Sequence, residues 1–179
     1  MAETRRTRMT KLLMKDALLE LMEEKPVSKI SISSICEAAD INRSTFYAHY
    51  MDIYALLEDV ENDVLNQIPN LASEDDIKNN TEFKKLNVEF FEYVKQNART
   101  FNVLLVNSNE GGFQNLLINR IMEKYYRPNS DVSDIVNKYY YFYIINGSIG
   151  MLKEWIRDGF QLNSHDFANI ILDFAVGKK

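Results

Sequence analysis

Cysteine, proline and glycine are scarce in this chain of 179 residues, which holds one cysteine, three prolines and six glycines. The single thiol, Cys36, cannot close an internal disulfide, and with two distant histidines, His49 and His165, it makes no common zinc site. No metal and no cofactor are expected. No apolar run reaches the roughly 18 residues of a membrane-spanning helix, and no basic, apolar, small-residue series at the start marks a secretion signal. A cytoplasmic protein with no membrane partner is expected. No stretch alternates polar and apolar residues cleanly, so strands find no support. With few breakers and no period of two, the chain reads as all-α.

What is present is ordinary for a globular protein: 46% hydrophobic and 26% charged residues, enough for one sizeable core or two small ones. The charge is uneven. Arg5, Arg6, Arg8, Lys11 and Lys15 face Glu3 alone in the first fifteen residues, whereas residues 51–179 hold nineteen acids against thirteen bases. A net charge of −5 argues against indiscriminate nucleic-acid binding, while a local basic surface remains compatible with phosphate contact.

The segment Met9 to Glu24 places Met9, Leu13, Ala17, Leu18 and Leu21 on one stripe, an amphipathic helix that stops before Pro26. In "ISISSICEAAD", Ser31 is a good N-cap and Ile32, Ile35, Cys36 and Ala39 follow at helical spacing. Asp40 and Ile41 make a tight connection, Asn42 is a second N-cap, and Arg43 to His49 reads as a third short helix with Phe46 and Tyr50 inward. Two short helices joined by a minimal turn form a helix-turn-helix. With the third helix in a major groove, Arg43, Ser44, Thr45 and Tyr47 face outward. Arginine can pair with guanine O6 and N7, threonine suits thymine or phosphate, and Tyr47 and His49 can reach backbone oxygens. Ser31 and Ser33 open the second helix, whose N–H groups and dipole favour phosphate. Read alone, "NRSTFY" also fits an ordinary capped first turn.

The run "ISISSICEAADINRSTFYAHYMDIYALLEDV" resembles the DNA-binding domain of the TetR family of bacterial transcription regulators, over residues 8 to 65. The resemblance implies an N-terminal three-helix domain, 1–68 with the fourth helix as connector, and a helical regulatory and dimerisation domain, 69–179. It places Arg43, Ser44, Thr45 and Tyr47 on base- and phosphate-contacting positions and His49 on a phosphate contact. The DNA-binding set is then Ser31, Ser33, Asn42, Arg43, Ser44, Thr45, Tyr47 and His49. Two positions depart from the family: Asp40 stands where glycine is usual in the turn, and Ile53 where a lysine commonly opens the fourth helix.

Beyond Pro69, "NLASEDDIKNNTE" reads as a polar linker. Leu86, Phe90, Tyr93 and Val94 then stripe a helix, another runs from Phe113 to Tyr125, and Pro128 ends it. The stretch "DIVNKYYYFYIINGSIGMLKEWIRDGF" makes a long helix from Val132 to Arg157 that is apolar on more than one face and needs cover on two sides. Its seam, with a last helix capped by Ser164, predicts a dimer interface of Ile149, Leu152, Ile156, Phe167, Ile170, Ile171 and Phe174. "GSIGMLKEWIRDG" is also similar to the C-terminal domain of Firmicutes-type members. Tyr93, Tyr139, Tyr140, Tyr143, Gly147 and Trp155 are candidates for a ligand pocket. The family resemblance implies a homodimeric repressor on a palindromic double-stranded DNA operator, released by a small-molecule effector. The alternative is a coactivator or protein-interaction adaptor with weak or no DNA binding. No catalytic residue stands out, because Cys36, His49 and His165 lack oriented partners.

Overall fold

The computed structural model describes residues 4–68, 80–107, 112–126 and 133–175. Of the expected linker, residues 70–79 lie outside these, as does the Pro128 helix end, whereas residues 80–82 are not linker but the first turn of the helix that begins at Asn80. The chain divides into two compact units: the first is Met1–Gln67 with Asn107–Asn109, and the second holds Ile68–Val106 and Glu110–Lys179. All regular structure among the described residues is helical.

In the first unit α1 spans Arg5–Glu24, four residues longer at its start than the stripe implied, because the Thr4 hydroxyl accepts from the Thr7 amide at 3.2 Å and caps it there. Its buried side is Met14, Ala17, Leu18 and Leu19, against which α2 (Ile32–Ala38) and α4 (Ile53–Gln67) pack. Met9 and Leu13 are exposed, contrary to expectation. Helical spacing marks an apolar stripe but not how far the covering helices reach along it.

Ser31 caps α2 in a reciprocal box with Ser34, at 3.1 Å from the Ser34 amide. The helix ends in a Schellman motif: Ile41 N–H donates to Cys36 C=O (2.9 Å), Asp40 N–H to Glu37 C=O (3.2 Å), and Asp40 takes a left-handed φ of 50°. Aspartate thus fills the place of the usual glycine, at a cost of about 1 kcal/mol. Then comes α3, Arg43–Tyr47, shorter than expected: Ala48 is its C-cap, so His49 falls in the turn after it. Phe46 and Tyr50 point inward as expected, and Phe46, Met14, Leu18, Ile35 and Leu56 are fully buried.

The second unit comprises α5 (Asn80–Gln96), α6 (Ala98–Phe101), a π turn (Asn102–Val106), α7 (Gly112–Tyr125), α8 (Asp134–Arg157) and α9 (Ser164–Ala175). At the foot of α8, Gly159 and Phe160 both have positive φ, 73° and 62°. Phe160 N–H donates to Trp155 C=O at 2.9 Å, a second Schellman closure, and its ring meets the Trp155 ring edge-on. That turn reverses the chain into α9, which is capped by the Asn163 side chain on the Asp166 amide (2.9 Å) rather than by Ser164. Trp155 stacks on Phe167, centroids 4.4 Å apart and planes 6° apart, while Phe91 meets both rings edge-on. This trio ties α5, α8 and α9 into one core.

Candidate functional site

The outer surface of α3 is built from its own cap. Asn42 Oδ1 accepts three hydrogen bonds: from the Thr45 amide (2.8 Å), the Ser44 hydroxyl (2.6 Å) and the Thr45 hydroxyl (2.9 Å). The backbone donor fixes which end of the amide is oxygen, so the Asn42 NH2 group faces away from this cluster. With their protons committed to Asn42, the Ser44 and Thr45 hydroxyls present lone pairs. They suit amino groups on base edges better than phosphate, which only accepts.

Beside them, exposed Arg43 donates from Nη2 to Ser33 Oγ on α2, which restrains the guanidinium over the motif. Tyr47 is 59% exposed, its ring edge-on to buried Phe46. His49 is half-buried after α3, 6.5 Å from the Tyr50 ring. Ser31 is exposed, with its hydroxyl engaged in the cap. The structure therefore brings Ser33, Asn42, Arg43, Ser44, Thr45 and Tyr47 together around one short helix.

A latch that the sequence pattern did not announce holds this helix to its neighbours. The Tyr50 hydroxyl donates to Asp59 Oδ2 (2.6 Å), and Lys15 Nζ bridges Asp59 (2.9 Å) and Asp63 (2.6 Å). Burial pushes the Asp59 carboxyl up, but the Tyr50 hydroxyl and the Lys15 ammonium outweigh it and hold it below its ordinary value. Burial likewise lowers Lys15, and its two carboxylates more than reverse that. An i, i+4 pair of acids on α4 was the available signal. Cys36 is buried, and burial pushes its thiol up, against the opposing charge of Arg43, so it stays a protonated core group.

The second unit holds an open-sided cavity of about 260 Å³, walled by Phe90 and Phe91 of α5, Leu117 and Ile121 of α7, and Tyr140 and Ile145 of α8 among others. Of the expected pocket residues, Tyr140 lines it. Tyr93 turns its ring edge to Phe101 instead, Trp155 lies in the core beside the wall, and Tyr139, Tyr143 and Gly147 are exposed. The expected interface residues also divide. Ile149, Leu152, Ile156, Phe167 and Ile171 are buried within their own chain, Ile149, Leu152 and Ile171 lining the cavity; Ile170 is half-buried and Phe174 exposed. An apolar stripe requires cover, and here the same chain supplies it.

Among the described residues no group of histidine, cysteine and acidic side chains is arranged to hold a metal, and no helix is long and apolar enough to cross a membrane. A capped two-helix motif with a polar, exposed second helix, joined to a helical domain with an open-sided cavity, defines a helix-turn-helix regulator.

The comparisons with known proteins narrow that class. Residues 16–60 match the family model described as bacterial regulatory proteins, tetR family, and residues 81–177 match a transcriptional regulator C-terminal region. The chain belongs to the TetR family of bacterial transcription regulators. A TetR transcriptional regulator from Streptococcus agalactiae superposes with a TM-score of 0.75 at 21% identity, over 96% of each chain. NalD, the secondary repressor of the MexAB-OprM multidrug efflux pump in Pseudomonas aeruginosa, superposes with a TM-score of 0.65 at 18% identity, over 97% of each. No curated protein matches by sequence.

Proposed function

We propose that the chain is a dimeric repressor that reads a palindromic operator through α3 and is released when a small molecule enters the cavity of the second unit. The observation that carries the reading is the contrast across α3: Phe46 is fully buried while Arg43, Ser44 and Tyr47 stand exposed beside it. A helix this short reads only a few base pairs, so specificity calls for a second copy. An exposed apolar surface suited to that copy is the outer face of α8, where Val136, Tyr139 and Tyr143 are exposed; Phe174 of α9 is exposed as well. Gly147 and Gly150 lie in the middle of α8, and a Cβ at either meets nothing within 4 Å. Small residues at such a place suit close approach of a partner helix. Repression is the role named for the similar NalD.

A second reading, a protein-interaction adaptor with weak or no DNA binding, draws on the start of α4. Asp52 caps that helix at the Ala55 amide (2.8 Å) and Ile53 opens it, so an apolar residue stands where a basic side chain would help hold phosphate, and an acid lies beside it. Selection of bound fragments from genomic DNA, followed by mobility shifts at several salt concentrations, tests both. Recovery of a palindrome bound well above random DNA supports the repressor, and binding no better than random DNA at every salt supports the adaptor.

A further inference from the structure

We infer that the cavity of the second unit takes an uncharged, largely apolar molecule carrying a hydrogen-bonding group, and rejects carboxylates, phosphates and ammonium ions. This rests on the reading of that unit as the sensor and names the chemistry that it senses. Among the described residues, the lining includes no Asp, Glu, Lys, Arg or His. A fixed charge brought into such a space finds no counter-ion among the described residues and loses the water on its buried side. Phe90, Phe91, Tyr140 and Tyr141 give the wall an aromatic character that suits flat, unsaturated ligands.

Among the described residues, Asn87 of α5 and Ser148 of α8 interrupt the apolar lining, besides the hydroxyls of the two tyrosines. Asn87 donates one amide hydrogen to the Phe83 carbonyl at 2.8 Å, and its chemistry leaves a second donor and an acceptor. A hydroxyl, amine or carbonyl on the ligand can use them. The volume, about 260 Å³, exceeds the roughly 150 Å³ that holds a single benzene ring. The site therefore fits a molecule larger than one ring.

Two fluorescent probes with one skeleton separate neutral from charged. N-phenyl-1-naphthylamine is uncharged, and 8-anilino-1-naphthalenesulfonate adds a sulfonate to the same rings. Titrated into the full-length protein, the neutral probe is expected to saturate at one per chain and to bind at least tenfold more tightly than the sulfonate. Ile144→Phe and Ser148→Leu, which fill the cavity from α8, are expected to weaken the neutral probe tenfold or more with ellipticity and melting unchanged. Equal or tighter binding of the sulfonate overturns the inference, as does undiminished binding of the neutral probe in a folded, filled variant. Should a filled variant not fold, competition on the unaltered protein decides the same question: 1-naphthol must displace the neutral probe and 1-naphthoate must fail. Operator binding read in the same samples isolates the underlying proposal. A bound neutral probe that leaves the mobility shift unaltered removes the sensory role and retains the ligand class.

Discussion

Asn42 holds three donors on one oxygen, and so decides how Ser44 and Thr45 meet DNA. Asn42→Ala is expected to release both hydroxyls and to uncap α3, costing about 1 kcal/mol in stability and more in operator affinity. A mobility shift alongside thermal melting shows the two losses. Tyr47→Ala is expected to abolish specific binding with helix content intact, since the side chain is outward; loss of folding would place Tyr47 in the core. Arg43→Ala should cost roughly 1–3 kcal/mol in binding and relax preference at one base position. Ser33→Ala should cost less, and nothing further once Arg43 is gone, which a double-mutant cycle measures. The latch has a pH signature. Asp59 titrates below its ordinary value of 3.8, so its stabilisation is present above that pH and is lost as pH falls through the depressed value. Lys15 titrates above 10.5, so its share is present below that pH and is lost as pH rises through the raised value. Asp59→Asn, at a partly exposed site, is expected to lower stability by about 1 kcal/mol near neutral pH and to flatten the acid limb of the melting profile.

At the scale of the element, α8 shows what a helical pattern conveys and what it withholds. Its apolar residues announce a helix covered on two sides, yet Leu152 and Tyr139 look equally suited to either cover. Leu152 is 2% exposed and Tyr139 68%. Which neighbour fills which side depends on the packing of α5, α7 and α9, and that is non-local. The caps at Ser31 and Asn42 and the turn at Asp40 were legible because each is closed by residues within a few positions. The cavity wall was not, because Phe91 becomes a wall residue only when three other helices are assembled around it. The distinction is measurable. Leu152→Ala is expected to cost about 2–5 kcal/mol in stability, whereas Gly147→Leu should keep the fold, gain up to about 1 kcal/mol in helix propensity and lose the dimer in sedimentation. Dimers that persist in Gly147→Leu would move the interface off this face.

At the scale of the whole molecule, the two units rest on different interiors: one mostly aliphatic, with Met14, Leu18 and Leu56 around the single fully buried ring of Phe46, the other rich in rings. Trp155 belongs to the second, and it is the only tryptophan in the chain. With its ring stacked on Phe167, its indole N–H donated to the Leu162 carbonyl at 2.9 Å and 2% of its surface exposed, its emission should be blue-shifted in the native protein and move red on unfolding. That colour change reports on the second unit alone, while far-UV ellipticity sums the helices of both. Followed through one heating ramp, the two signals count cooperative units without any label: coincident midpoints mean that the halves melt as one, and separated midpoints reveal which half yields first.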